Sequence, residues 1–179
     1  MFIRKNIRLQ KVEYSKQNFY FITICEKFRR VYFSEIENMS SKNNTPKIKL
    51  KLKPIGVVID LILTNINDIF SGVKLHKYVI MPNHVHFILE VNIENIVYKN
   101  SGKIARFNQI ITAIKSKSIF VCEQNGLELS WQRSFYERIV RNEKEFEKIS
   151  TYILNNPIQW NLDKLNPEFN NSLNDNNGS

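Results

Sequence analysis

Two apolar runs of β type lie next to each other in the middle of the chain. They are residues 75–81, LHKYVIM, and residues 84–91, HVHFILEV, and only Pro82-Asn83 separates them. Both runs are rich in the β-branched and aromatic residues that favour strands, and a short Pro-Asn break is a turn signal. The pattern predicts an antiparallel hairpin, and this hairpin limits the folds that the chain can adopt.

The segments on either side of the hairpin repeat one order of elements. Residues 18–25 predict a strand, and residues 54–68 predict a helix that begins at a proline. After the hairpin, residues 103–121 have apolar side chains at helical spacing, and residues 131–140 predict another strand. Strand, helix, strand, strand, helix, strand is the split βαβ or ferredoxin-like order. The expected fold is therefore α+β, an antiparallel sheet with helices on one face.

A further helix and a tail follow this pattern at the end of the chain. Asn142 with Glu145 three positions later resembles a capping box, so we expect an appended helix over 143–154 that ends at Asn155-Asn156-Pro157. From Asn166 onward the sequence is rich in asparagine and lacks apolar periodicity. We therefore predict a single domain over residues 1–165 and a disordered, asparagine-rich tail over 166–179.

The chain is markedly basic, with 26 Lys and Arg against 17 Asp and Glu and a formal net charge of +9. Basic proteins gain free energy from releasing the counterions condensed on nucleic acid, although ribosome-associated and membrane-surface proteins share this balance. Residues 39–53 carry five lysines and no acidic residue, and we expect a flexible connector that leads into the alternating KIKLKLK run.

The cysteines and the hydropathy pattern indicate the cellular setting. Cys25 and Cys122 lie far apart and form no C-x-x-C spacing, so neither a disulfide framework nor a structural zinc site is predicted. No stretch approaches the roughly 20 apolar residues that span a bilayer. These features predict a cytoplasmic protein with no membrane partner.

His84 and His86 are the first candidates for chemistry. Alternate residues of a strand project from the same face, so the two imidazoles can converge on one ion. An H-x-H pair also arises by chance, at the surface or in a core. Here, however, the pair lies at the mouth of an otherwise apolar hairpin, where isolated core histidines would lack partners. His76, at the start of the preceding strand, is expected to be exposed or locally bonded, so we do not predict it to be a metal ligand.

Two sequence blocks resemble a known family. YVIMPNHVHFILE and the later SFYERIVRNEKEFEKISTYILNNPIQW resemble the REP-associated tyrosine transposases, within the superfamily of single-tyrosine HUH transposases. The resemblance covers most of residues 14–162. It includes, in order, Trp131-Gln132, Phe135-Tyr136-Glu137, Val140-Arg141-Asn142-Glu143, Tyr152-Ile153 and Asn156-Pro157.

The resemblance implies roles for four residues. His84 and His86 would be metal ligands, Tyr152 the nucleophile, and Asn156 a further ligand through its side-chain oxygen. Helical spacing is compatible with this, because residues i and i+4 such as Tyr152 and Asn156 share one face. Without the resemblance, Tyr152 would be read as an interface tyrosine. Tyr136 is the rival nucleophile, although core packing or stacking on DNA is the role we favour for it.

The resemblance also implies an activity. The chain would be an HUH endonuclease and transposase that cleaves and rejoins single-stranded DNA at hairpin or palindromic sequences, through a 5′-phosphotyrosine intermediate. The implied cofactor is a divalent ion, Mg²⁺ or Mn²⁺, and a monomer is favoured over a dimer. Two alternatives stay open at this point: a protein that binds hairpin DNA without cleaving it, and a metal-dependent nuclease that uses water.

Single-stranded DNA requires basic grooves and aromatic platforms. The candidates for this surface are Arg29, Arg30, Arg106, Lys115, Lys117, Arg133 and Arg138, together with Tyr136.

Overall fold

The computed structural model describes residues 18–39 and 47–169. Its strands are β1 Asn18–Cys25, β2 Ser34–Met39, β3 Lys47–Leu52, β4 Phe70–Ser71, β5 Val73–Ile80, β6 His84–Val91, β7 Val97–Tyr98 and β8 Tyr136–Val140. Its α-helices are α1 Pro54–Thr64, α2 Ile66–Ile69, α3 Phe107–Gln124 and α4 Glu143–Asn155, and 3-10 helices cover Ile93–Asn95 and Asn156–Leu162. None of the helices in the described ranges is long and apolar enough to cross a membrane.

A four-stranded sheet with the order β5-β6-β1-β8 forms the centre of the protein. All three neighbouring pairs are antiparallel, and β1 lies between β6 and β8. The chain passes through β1, α1, β5, β6, α3 and β8 in that order. The α+β class and the antiparallel sheet are therefore confirmed.

The two faces of this sheet carry different helices. Alternation along β1 and β6 sends one set of side chains towards α1 and α3, and these form the larger core. The other set, with Phe21 and Ile88 among them, packs against Phe146, Ile149 and Ile153 of α4. His84 and His86 share their face of β6 with Ile88. The appended helix therefore lies on the face opposite α1 and α3, which is the face of the histidine pair.

Several element bounds differ from those predicted by sequence. The helix predicted over 54–68 is interrupted after α1, where the side chain of Asn65 donates to the carbonyl oxygen of Leu61 at 2.7 Å. The helix predicted from Lys103 begins at Phe107, because Ile104 forms an isolated β-bridge with Val97. Long-range pairing thus overrides local helical spacing at this point.

The lysine-rich stretch contains a strand whose partner the sequence did not indicate. The alternating run forms β3, which pairs with β2 in an antiparallel hairpin. Lys51 lies opposite Glu35, and their side chains form an ion pair of 3.2 Å. Residues 40–46, the middle of the predicted connector, lie outside the described residues.

Residues 166–169, the first four of the predicted tail, are among the residues that the structure describes. Asn166 is buried, and its side chain donates to the carbonyl oxygen of Trp160 at 3.1 Å and accepts from the backbone N–H of Glu168. Residues 170–179, the rest of the predicted tail, lie outside the described residues.

Candidate active site

His84 and His86 lie at the start of β6, with ring centroids 4.6 Å apart and almost no solvent exposure. α4 crosses the same face and brings Tyr152 against them, and the following 3-10 helix begins at Asn156. The structure therefore brings together all four residues to which the family resemblance gave a catalytic or metal-binding role. His76 is separate from them and lies 2.6 Å from a carboxylate oxygen of Glu90.

Asn83 fixes the protonation of the His84 ring. Its side-chain N–H groups donate to the carbonyl oxygens of Arg29 at 3.2 Å and Leu165 at 2.7 Å, so its Oδ1 must face His84 Nδ1, which is 2.8 Å away. An amide oxygen can only accept, so Nδ1 of His84 carries the proton. The lone pair of Nε2 is then free, and this buried atom has no hydrogen-bond partner among the described residues.

His86 is held from two sides. Its Nδ1 lies 2.7 Å from Thr23 Oγ1, and its Nε2 lies 3.3 Å from the hydroxyl oxygen of Tyr152. The ring of Phe21 stacks on the imidazole at 5.4 Å between centroids. The second imidazole is therefore positioned with one nitrogen towards a supporting hydroxyl and the other towards the tyrosine.

Burial keeps both imidazoles neutral. It holds the pKa of His84 well below its ordinary value, and the adjacent His86 ring and the positive charge of Arg29 lower this pKa further. Burial also lowers the pKa of His86 to about 4. Neutral imidazole is the form that binds a metal ion, so both rings are in the ligating state at pH 7.

Asp163 also lies in this site, although no pattern in the sequence predicted it. One of its carboxylate oxygens lies 3.6 Å from His84 Nε2, and the potential ligand atoms of His84, His86 and Asp163 all lie within 4.8 Å of one another. It follows the 3-10 helix, seven positions after Asn156, and no local spacing marked it. Only the path of the chain after α4 brings this carboxylate to the histidines.

The donor set suits a divalent cation. The side-chain oxygen of Asn156 is buried and, like His84 Nε2, accepts no hydrogen bond among the described residues. Two unpaired buried acceptors are costly unless something positive lies against them, and the carboxylate of Asp163 is next to them. This group of nitrogen and oxygen donors can hold a metal ion.

We call the group formed by His84, His86, Tyr152, Asn156 and Asp163 the cluster. Tyr152 is its exposed member, with 41% of its surface accessible. Its ring packs edge-on against Phe21 at 6.0 Å. Partial burial raises the pKa of its phenol, and the charge of Asp163 raises it further, whereas Asn156 acts in the opposite direction. The phenol is therefore protonated at neutral pH, and a nearby positive charge would favour its ionisation.

The loop that follows β1 packs around the turn that carries Asn83. The backbone N–H of Glu26 donates to the carbonyl oxygen of Asn83 at 2.8 Å, and that of Phe33 donates to Pro82 at 2.9 Å. The buried carboxylate of Glu26 accepts from the backbone N–H groups of Phe28 and Arg30. These hydrogen bonds give the loop a fixed shape beside the histidines.

Arg29 occupies an unusual position in this loop. Its φ is 62°, the only positive value for a non-glycine residue in the described ranges. Its charge contributes to the low pKa of His84 and also lowers the pKa of Asp163, which burial otherwise raises. No ion pair within 4 Å involves Arg29 in residues 18–39 and 47–169. Its guanidinium is therefore an uncommitted positive charge near the cluster.

Three of the other predicted DNA contacts have partners within the protein. Arg30 pairs with Glu26 at 3.1 Å, and the side chains of Arg138 and Glu145 form an ion pair. The ammonium of Lys115 donates to three backbone carbonyl oxygens, of residues 132, 133 and 134. Each of these three cations therefore has a contact within the protein, in addition to the predicted contact with DNA.

The remaining predicted contacts are exposed but divide between two faces. Arg106 and Lys117 are on or next to α3, on the opposite side of the sheet from His84 and His86. Tyr136 is exposed beside the histidine pair, with 54% of its surface accessible and its backbone opposite Thr23, whereas Arg133 is exposed on the segment before β8. The structure separates Arg106 and Lys117 from the histidines and brings Tyr136 close to them.

One solved transposase structure shares this fold. No protein-family model matches the chain. A REP-associated tyrosine transposase, solved bound to a REP hairpin, matches with a TM-score of 0.51 and 20% identity, over 82% of this chain and 70% of that one. A Deinococcus radiodurans protein described as a candidate transposase is 16% identical, with a TM-score of 0.46 over 82% of this chain and 95% of that one. The second match adds nothing to the assignment.

The chain therefore has the fold of the REP-associated tyrosine transposases, and the resemblance is confirmed at that level. A relative of much higher identity defines its family. An uncharacterized protein of Haemophilus influenzae is 32% identical over 176 residues, which covers 90% of this chain and 92% of the relative. The chain belongs to the family of that protein.

Proposed function

We propose that this protein is a metal-dependent transesterase that cleaves and rejoins single-stranded DNA next to a hairpin, with Tyr152 as the nucleophile. The observation that carries the proposal is the contact of 3.3 Å between the Tyr152 hydroxyl and His86 Nε2. It joins an exposed nucleophile to a buried group of metal-ligating atoms on a fold that a REP-associated tyrosine transposase shares.

The cluster would hold the cation through His84, His86 and Asn156, with Asp163 as an additional ligand. A divalent ion held there would polarise the scissile phosphate and offset the negative charge that develops on it. The oxygen donors of Asn156 and Asp163 suit Mg²⁺ or Mn²⁺, and the imidazoles favour Mn²⁺ between these two.

The reaction itself forms one phosphoester bond as it breaks another. The phenol oxygen of Tyr152 loses its proton and attacks phosphorus, the bond from phosphorus to the 3′ oxygen breaks, and that oxygen takes up a proton. The downstream fragment is then linked to Tyr152 through its 5′-phosphate, and the upstream fragment ends in a free 3′-hydroxyl. Attack by a 3′-hydroxyl on this link reverses the step and joins strands, so no nucleotide cofactor is consumed.

A positive charge next to the phosphate assists such a step, and Arg29 is the residue that the structure offers for it. Its guanidinium is uncommitted and acts on the same groups that form the cluster. An arginine can donate two parallel hydrogen bonds to phosphate oxygens. We therefore include Arg29 in the proposed site as a phosphate contact.

We further propose that the protein acts as a monomer. The nucleophile and the metal-ligating residues touch one another within one chain, so the site needs no residue from a second copy. Light scattering of the protein, alone and with a hairpin oligonucleotide, measures this directly. A dimer in both conditions would contradict the expectation.

The test is incubation with hairpin-bearing single-stranded DNA and Mn²⁺, followed by a denaturing gel. Tyr152→Phe should lose the covalent protein–DNA product and keep its affinity for DNA, because it lacks only the attacking oxygen. Tyr98→Phe, in β7 away from the site, is the matched control and should keep the product. Loss of the product in Tyr136→Phe, with retention in Tyr152→Phe, would identify the rival nucleophile.

The same gel distinguishes the other two functions. A nuclease that uses water would still cleave the DNA in Tyr152→Phe, without a covalent product. A protein that only binds hairpin DNA would give neither cleavage nor product with any metal, and its binding would not change on addition of EDTA.

A further inference from the structure

A cavity of about 400 Å³ opens beside His86, towards β8. Its walls include Thr23 and His86 on the sheet, Gln132 and Ser134 on the segment before β8, and Tyr136 at the start of β8. A second cavity of about 330 Å³ contains Tyr152, Asn156 and Asp163, and Leu165 lines both. The cavity at β8 therefore adjoins the proposed site without containing its nucleophile.

We infer that the cavity at β8 binds one unpaired nucleobase of the DNA strand, beside the phosphate that is cleaved. This inference rests on the proposed function, since it assigns part of that substrate to a defined place. The base stacks on Tyr136, and its edge is read by the side chains of Gln132 and Ser134. Bases of a duplex are stacked and paired, so only a single-stranded nucleotide can enter.

The position of Tyr136 supports a stacking role. Its ring is exposed, and the buried ring of Phe21 supports it from below at 6.2 Å between centroids. Phe21 also contacts Tyr152 at 6.0 Å and His86 at 5.4 Å. A base on Tyr136 is thus close to the nucleophile, and aromatic side chains are the usual platforms for unpaired bases.

The polar side chains of the cavity are available for a ligand. Within the described residues, neither the amide of Gln132 nor the hydroxyl of Ser134 makes an intramolecular hydrogen bond. A glutamine amide offers a donor and an acceptor side by side, which matches the edge of a base. The lining therefore combines a stacking surface with groups that can distinguish one base from another.

Lys115 fixes the segment that carries these two side chains. From α3, its ammonium donates to the carbonyl oxygens of Gln132 at 2.8 Å, Arg133 at 3.4 Å and Ser134 at 3.1 Å. The backbone N–H of Gln132 also donates to Cys25 at 2.9 Å. A segment that is already ordered loses little entropy on binding, so Lys115 is a positioning residue for the base contacts.

The experiment measures base preference in binding, so that it does not depend on cleavage. The probe is a pool of hairpin oligonucleotides with a short randomised single-stranded flank, and the protein carries Tyr152→Phe. Bound oligonucleotides are separated and sequenced. We expect a base preference at one flank position, which Gln132→Ala and Ser134→Ala reduce when added to this protein.

Tyr136→Ala should weaken binding of the selected oligonucleotide by about 5- to 100-fold, the effect of losing one base stack. Phe120→Ala and Gln124→Ala are matched controls, because they remove an exposed aromatic ring and an exposed amide from α3. Both controls should keep the affinity and the preference. Circular dichroism establishes that each variant is folded.

Lys115→Met should reduce the base preference and keep the affinity for the hairpin stem. The conservative variant Lys115→Arg should keep both properties. A purely structural role would lower both properties together.

The inference is overturned if no flank position shows a preference, or if the preference survives in the Gln132→Ala, Ser134→Ala double variant. If the preference depends on these residues but the protein with Tyr152 intact forms no covalent product on the selected oligonucleotide, the base pocket is retained and the transesterase is rejected.

Discussion

Asn83 determines which nitrogen of His84 is available to a cation, although it is not itself a candidate ligand. Because its amide accepts from Nδ1, Asn83→Ala should release the ring and allow the other tautomer. We expect the affinity for Mn²⁺ to fall by about 10- to 100-fold, measured by titration calorimetry. Asn125→Ala, at the end of α3, should bind Mn²⁺ normally, and equal affinity in both variants would contradict this role.

Arg29 has a strained backbone conformation and a positive charge that acts on His84 and Asp163. Glycine adopts a positive φ without strain, so we expect Arg29→Gly to be more stable than Arg29→Ala by about 1 kcal/mol in chemical unfolding. Both variants lose the guanidinium, and the rate of covalent product formation should fall by about 10- to 100-fold in a single turnover.

The control for Arg29 is Lys99→Ala, which removes an exposed charge away from the site and should leave the rate unchanged. A normal rate in both Arg29 variants would show that the residue serves the loop alone. In that case, the strain at φ 62° would have a structural reason.

Among the elements, α4 brings the proposed nucleophile, Tyr152, to the candidate metal ligands. Its first turn is capped by Asn142, whose side chain accepts from the backbone N–H of Glu145 at 2.9 Å. Asn142→Ala should lower the free energy of unfolding by about 1 kcal/mol in urea. The rate of covalent product formation should fall as well, because the same helix positions Tyr152 and leads into Asn156.

Asn142→Asp provides the matched comparison, since an aspartate oxygen caps a helix as well as an asparagine oxygen does. Its free energy of unfolding and its rate of covalent product formation should equal those of the unsubstituted protein. If Asn142→Ala lost stability but kept the full rate, the position of Tyr152 would depend on packing against Phe21 rather than on the helix start.

The predicted capping box of this helix was half right. Asn142 caps Glu145 as expected, but the Glu145 carboxylate accepts from the backbone N–H of Arg141 instead of that of Asn142. The sequence located the start of α4 because a cap depends on neighbouring residues. It did not predict the partner of the carboxylate, because Glu145 also pairs with Arg138 on the adjacent strand β8.

At the scale of the whole molecule, the buried histidines make stability depend on pH. Their pKa values are lowered in the folded protein, so below about pH 6.5 the unfolded chain binds more protons than the folded one. The free energy of unfolding should therefore fall as the pH decreases from about 6.5 towards 4. A shift of the His86 pKa to about 4 corresponds to a loss of about 3 kcal/mol.

The measurement is urea unfolding at several pH values in EDTA, so that bound metal does not contribute. The raised pKa of Asp163 acts in the opposite direction and offsets part of the loss at the acidic end. His86→Gln removes one titrating group, and its stability should fall less over the same range. A free energy of unfolding that stayed constant from pH 7 to 5 would mean that the imidazoles are not desolvated.

Local patterns in the sequence determined the central features of this protein. β1 and β6 have the predicted bounds, because alternation and β-branched residues are properties of each strand alone. The alternation also predicted that His84 and His86 share a face, which they do. The spacing of Tyr152 and Asn156 required only that one helical path continue through α4 and the turn after it.

What lies opposite these residues depends on how the whole chain folds. Asp163 reaches the histidines because the chain turns back after the 3-10 helix, and Lys115 contacts residues 132–134 because α3 packs beside them. Such contacts join residues that are distant in sequence, and they depend on burial and on how the helices cover each face of the sheet. No local pattern encodes them, so the candidate metal ligand Asp163 and the partners of the basic side chains emerge only in the folded chain.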